Sequence, residues 1–151
     1  MEHEDISELN QRRRAWFHRH FQDGVAFNAA IGVVIPRWDP DGVEFRLSFR
    51  PDLGAHEGVF HGGVLAALID TTACGAVLAG HDFAYGSRVS TIDLTVQYLR
   101  PAIGGVVAYS QCTKRGRSVN FADVMVRTVD GKDVAHGIVT VMIAGERAGL
   151  D

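Results

Sequence analysis

The chain has 151 residues, 46% hydrophobic and 22% charged, which suits one ordinary domain with a packed core and leaves too little length for a second large one. Fifteen Lys and Arg stand against eighteen Asp and Glu, a net charge of −3, so the surface lacks the dense basic excess that a nucleic-acid backbone rewards. Two cysteines, Cys74 and Cys112, without Cys-x-x-Cys spacing fit a reducing compartment, and the acidic start Met-Glu-His-Glu-Asp lacks the basic and apolar parts of a secretory signal, so a cytoplasmic protein outside the membrane is expected.

Residues 5–22 carry Ile6, Leu9, Trp16, Phe17, His20 and Phe21 at three- and four-residue spacing, which predicts an amphipathic helix laying one face on the domain. Arg12, Arg13 and Arg14 fall on its solvated face, and Gly24 ends it, so 1–24 is an N-terminal helical extension of a single domain spanning 1–151. The period then changes to β-favouring stretches over 31–35 and 43–49, joined by the turn Asp39-Pro40-Asp41-Gly42. Residues 51–60 read as irregular. The segment 61–80, HGGVLAALIDTTACGAVLAG, is apolar around its whole circumference and predicts a helix buried on all sides, with Gly75 and Gly80 letting other backbone come close. Its apolar run is interrupted by Asp70 and is short for a bilayer span. After a polar loop at 81–87, four strands follow. Ile92, Leu94, Val96 and Tyr98 alternate with Asp93, Thr95 and Gln97; then come 106–114, 119–129 and 134–143, the last two joined by the hairpin signal Asp130-Gly131. The order predicts an α+β fold in which a curved, mostly antiparallel sheet of five or six strands wraps the 61–80 helix. Its other face is free, so self-association is expected.

Two features suggest chemistry. Asp70 is the only ionisable group in 64–79 apart from the Cys74 thiol, and a carboxylate in such surroundings has to be paired, hydrogen-bonded or protonated. It either faces a wet seam or marks a site. His61-Gly62-Gly63 opens the same helix. This is either a tight turn or a set of uncovered N–H groups at the positive end of the helix dipole, able to hold an oxyanion or a polarised carbonyl. Eight residues separate Gly62 from Asp70, about 12 Å along a helix, so one carbonyl cannot touch both. If both serve one reaction, Asp70 of one subunit meets the 62–63 amides of another across a two-fold axis.

The stretch from Gly58 to Asp70, then Ser90 to Pro101 and the late turn Arg115-Gly116-Arg117, together resemble the hotdog-fold acyl-CoA thioesterases of the phenylacetate-pathway (PaaI) and 4-hydroxybenzoyl-CoA thioesterase type, over roughly 25–144. The resemblance implies a sheet wrapped around one helix, a homodimer that completes the site, pairing into a homotetramer, and hydrolysis without a metal or other cofactor. It makes Asp70 the catalytic carboxylate, activating water or attacking the thioester carbon, and gives the Gly62 or Gly63 amide the task of polarising the carbonyl. Thr91 falls where relatives keep a hydroxyl that places the water, although Thr is a good strand residue anyway. Where many relatives carry an Asn donor the chain has Ala55, so a contact is missing unless His56 supplies it. His61 is a candidate catalytic residue and His56 a candidate substrate contact, or both are loop histidines with structural roles. Arg100, Lys114, Arg115, Gly116 and Arg117 are the candidates for coenzyme A phosphates, or else solvated turn residues. No Gly-x-Ser-x-Gly, Walker, Gly-x-Gly-x-x-Gly or His-Glu-x-x-His motif and no zinc-type spacing occurs. Cys74 reads as packing. The alternatives are a non-catalytic acyl-CoA sensor or scaffold, which the change at Ala55 favours, and a hotdog hydratase or dehydratase, whose Asp/His or His/Glu pairs are not found.

Overall fold

The computed structural model describes residues 6–146 and 149–150. Helix α1 spans Ile6–Phe17, and one π-helical turn over His18–Gln22 continues it; the expected start at residue 5 lies outside the described residues. Only its second half docks. Phe17 and Phe21 are buried and stack at 4.7 Å, whereas Ile6 is exposed. Arg13 departs from the solvated face assigned to it: its guanidinium donates to the carbonyls of Leu78, Ala79 and His81. Arg14 pairs with Asp39 at 2.7 Å.

A short helix, α2 (Ala26–Ile31), replaces the start of the strand expected at 31–35. Three alanines favour it, and Gly32 at φ 79° closes it in the left-handed conformation that glycine adopts without strain. Strand β1 therefore begins at Val34 and runs to Asp39; Pro40-Asp41 turns the chain into β2 (Gly42–Leu47). A small ladder, β3 (Gly54–His56) and β4 (Val59–Phe60), leads to the long helix α3 (Gly62–Ala79). Strands β5 (Arg88–Tyr98), β6 (Val106–Arg115), β7 (Val119–Thr128) and β8 (Asp133–Ala144) complete one antiparallel sheet in the order β1-β2-β6-β7-β8-β5. All six of its strands touch α3, so the expected sheet around one helix, with a further helix at the N-terminus, is the observed architecture.

The burial of α3 is uneven, which its composition did not reveal. Every residue from Thr72 to Ala79 is buried, but in the first half Val64, Ala66, Ala67, Asp70 and Thr71 are only half-buried and form an open strip. The helix is long and apolar enough to cross a membrane by length and composition, and 67% of that window is buried inside the protein. What approaches its glycines is side chain rather than backbone. A Cβ on Gly75 would lie 2.5 Å from Cζ of Phe45, and one on Gly80 would lie 2.7 Å from Nη2 of Arg115. Trp38 donates its indole N–H to the Gly75 carbonyl at 2.8 Å and stacks on Phe17 at 4.1 Å, which joins the N-terminal helix to the back of α3. At the far edge, β5 pairs on one side only and exposes Ile92, Leu94 and Tyr98. The outer sheet face shows Tyr109, Phe121, Ile138 and Met142.

Candidate active site

Asp70 sits on the open strip of α3 and accepts a 2.5 Å hydrogen bond at Oδ1 from the Thr91 hydroxyl of β5. Such a charge-assisted contact is short and strong, and it answers the requirement that the carboxylate be partnered. The pairing depends on a bulge. Thr91 is opposite Val141, yet Asp93 is opposite Thr140, so one extra residue is inserted at Ile92. Strict alternation would place Thr91 and Tyr98 on opposite faces, whereas both reach α3. The bulge re-aims Thr91 toward the helix. Thr91 also lies 3.7 Å from the Cys74 sulfur. Burial, with the Asp70 charge adding to it, pushes the Cys74 thiol up to about 12, which keeps it protonated and inert.

At the start of α3, His61 is the N-cap: its Nδ1 accepts the Gly63 amide at 2.8 Å. The Gly62 amide has no hydrogen-bond partner among the described residues. The Gly62 carbonyl accepts the Tyr98 hydroxyl at 2.6 Å, and the Tyr98 ring lies against the glycine, 3.3 Å from where a Cβ would be. Tyr98 thus holds the helix start from β5. Sequence reasoning treated it only as a strand residue.

The binding candidates do not form one cluster within a protomer. Arg100 lies beyond β5 near the start of α3, where Tyr98 meets Gly62 and Leu99 bonds Val134. Lys114 and Arg115 end β6, and Gly116 and Arg117 begin the turn to β7 at the other end of the helix, where Arg115 donates to the Val77 carbonyl at 2.8 Å. Arg115 and Arg13 together satisfy carbonyls at the C-terminus of α3, a favourable place for positive charge. Lys114, Arg117 and Arg100 are exposed and make no ion pair among the described residues. A cavity of about 670 Å³ lies between this turn and the loop of His81, Asp82 and Tyr85. Burial lowers the pKa of His81, which bonds the Gly86 carbonyl. Ala55 and His56 are exposed on β3 and line a separate surface hollow. Among the described residues no group of three or more His, Cys, Asp or Glu is placed to hold a metal ion.

Beside Asp70 opens a cleft of about 340 Å³ whose second wall is Phe21, Val25, Phe27 and Asn28. Sequence reasoning placed Phe21 on the packing face of the N-terminal helix and gave Val25, Phe27 and Asn28 no role, because it found no helix between Gly24 and the strand expected at 31–35. The signal available was the Ala-rich run closed by Gly32.

The thioesterase superfamily profile matches residues 57–135. A Halobacterium salinarum protein provisionally named an esterase is 35% identical over 101 residues, covering 65% of this chain and 67% of that protein. A medium/long-chain acyl-CoA thioesterase of Salmonella typhimurium, YigI, is 29% identical over 131 residues, covering 78% of this chain and 84% of its own. A crystal structure from Shewanella oneidensis, described as related to the thioesterase superfamily, superposes with a TM-score of 0.78 at 25% identity and covers 90% of this chain and 98% of its own.

Proposed function

The chain belongs to the thioesterase superfamily and is a thioester hydrolase; from that premise we propose that it hydrolyses acyl-CoA thioesters to the free acid and coenzyme A. The observation that carries the reading is Asp70 itself. It is the lone carboxylate on the open strip of an apolar helix, held at one oxygen by Thr91, and offset by eight residues from an unpartnered amide at the helix start. Two copies of α3 running antiparallel about a two-fold axis bring each Asp70 opposite the partner subunit's Gly62. The one-sided edge of β5 and its exposed Ile92 and Leu94 supply a surface for that pairing.

In this arrangement the thioester oxygen points at the Gly62 amide, where the helix dipole favours growing negative charge. Asp70, with Oδ1 fixed by Thr91, uses its other oxygen to take a proton from water. The hydroxide adds to the thioester carbon, the tetrahedral oxyanion is stabilised by the amide, and its collapse breaks the carbon–sulfur bond. The proton returns from Asp70 to the departing sulfur, leaving the acid and the free thiol. The Gly63 amide joins as a second donor when the His61 ring releases it, and His56 takes the place of the donor missing at Ala55. The anionic end of coenzyme A rests on Arg117 and Lys114, which form no ion pair among the described residues, with Arg115 holding the turn and Gly116 keeping it open; Arg100 reaches the same ligand from the neighbouring subunit. The outer face around Tyr109 and Met142 supports pairing of dimers into a tetramer of the PaaI type, and two free thiols fit a cytoplasmic setting.

Release of free thiol from a panel of acyl- and aryl-CoA thioesters, by wild type and by Asp70→Asn, tests the reading. The amide still accepts the Thr91 bond but cannot take a proton, so the fold is retained while kcat falls by about 10²–10⁴. A folded variant that turns over near the wild-type rate removes Asp70 from the mechanism. A wild type that binds acyl-CoA without releasing thiol supports the sensor or scaffold alternative.

A further inference from the structure

We propose that the stretch from Phe21 to Asn28, which leads into α2 and forms its first turn, is the acyl-group wall of the site, and that Phe27 sets the length of aliphatic acyl chain accepted. The inference rests on the thioesterase reading and deepens it. The thioester carbon has to lie within reach of Asp70, so the group attached to that carbon has to enter whatever space adjoins the carboxylate. That space is the cleft of about 340 Å³, within the size range of small-molecule sites. Among the described residues its only ionisable lining groups are Asp70 and the neutral Cys74 thiol. No described residue of the lining is a cation that could receive phosphate or a carboxylate-bearing acyl group, and Asp70 repels both. The cleft fits an uncharged hydrocarbon chain, while the charged end of the substrate leaves in another direction.

The wall opposite Asp70 consists of Phe21, Val25 and Phe27. Phe21 belongs to the core, but Val25 is 39% exposed and Phe27 is 52% exposed, so these two side chains are available to a ligand rather than spent on packing. The wall is fixed in register with the acid by Asn28, which is only 2% exposed. Its Nδ2 donates to the Phe21 carbonyl at 3.0 Å, and its Oδ1 accepts the hydroxyl of Thr71, the residue next to Asp70, at 2.9 Å. Asn28 is therefore a positioning residue: it ties both ends of the 21–28 segment to the turn of α3 that carries the carboxylate. Phe27, one residue away, is held at a set distance from the reacting carbon.

The test is kcat/KM for the saturated series from acetyl-CoA to dodecanoyl-CoA, measured on the full chain as wild type, Phe27→Ala and Phe27→Trp, with circular dichroism confirming the fold of each. A methylene in an apolar pocket discriminates by about tenfold or more. Phe27→Ala is expected to move the preferred chain to greater length and raise the long-to-short ratio about tenfold, and Phe27→Trp to move it the other way. Wild-type turnover with three superimposable chain-length profiles overturns this inference alone. No turnover of any thioester by wild type overturns the functional reading and this inference with it.

Discussion

Gly62→Pro removes one atom group that the proposed chemistry needs and little that the fold needs. Gly62 is the first residue of α3, where proline is favoured because its missing N–H is not part of the helix ladder. His61 before it has φ −60° and ψ 133°, the extended conformation that a following proline requires. The steric demand is the Tyr98 ring, 3.3–3.5 Å from a Cβ at this position, which has to shift by a few tenths of an ångström. Gly62→Ala makes the same demand at Cβ and keeps the amide, so the ratio of the two variants reads the loss of the N–H together with the added ring carbons of proline. Alanine should stay within a factor of about 3 of wild type. Proline should lose about 10²–10³ in kcat, or about 2.7–4 kcal/mol of transition-state stabilisation. The same variant tests the two-subunit site. Gly62→Pro and Asp70→Asn subunits, unfolded together and refolded at equal amounts, give half heterodimers, each with one intact and one doubly damaged site. Thiol release should recover to about one quarter of wild type. A mixture no more active than the mean of its parents refutes the cross-subunit arrangement, and proline activity equal to that of alanine refutes the role of the amide.

Thr91→Val keeps the shape of the side chain and removes the donor to Asp70, so kcat should fall about tenfold with KM little changed, as read by initial rates of thiol release. Cys74 is buried, with a thiol pKa moved from 9.0 to about 12. The native state therefore keeps a proton that the unfolded chain loses between those values, and stability should decline by up to about 1.4 kcal/mol per pH unit as pH rises through that window. Urea midpoints at pH 8–11 should show this slope in wild type and a flatter one in Cys74→Ala; parallel slopes contradict it. Gly75→Ala places a Cβ 2.5 Å from a Phe45 ring that is boxed in by Phe17 and Phe21. Overpacking of about 1–3 kcal/mol exceeds the gain in helix propensity of about 1 kcal/mol, so the thermal midpoint should fall by several degrees, and an unchanged or raised midpoint shows that the aromatic cluster yields.

The parts of the fold that were legible in the sequence are those whose side chains alone dictate the outcome. The 61–80 segment has no solution other than burial, and the alternating strands after it, with Asp130-Gly131 between the last two, need that apolar helix against one face; that β5 crosses to the far edge beside β8 was not readable. The same logic located Asp70, because a lone carboxylate in an apolar helix is conspicuous. What was not legible depends on contacts between distant segments. Ala26–Ile31 lies beside β-branched residues, and only the left-handed Gly32 decides where helix gives way to strand. The bulge at Ile92 leaves no mark in the alternation, so the face that Thr91 occupies could not be read. Arg13 looked like surface charge and Arg115 like a phosphate contact or a turn charge, because the carbonyls they satisfy belong to residues more than thirty positions away. The closeness of the Asp70 cleft to Phe27 and Asn28 likewise comes from a helix docked across 43 residues of chain.

The order in which the sheet surrounds α3 has a consequence for synthesis. The helix leaves the ribosome after β1 and β2 but before β5 to β8, so four of its six covering strands are still unmade when its last residue, Ala79, is translated. The remaining stretch to Ala144 takes about 3–13 s at 5–20 residues per second. During that interval an eighteen-residue segment greasy enough for a lipid bilayer waits with only a third of the strands that shelter it. The nascent polypeptide is consequently a natural client for chaperones that meet emerging chains, and slow codons between the helix and the final hairpin would lengthen the period of greatest hazard.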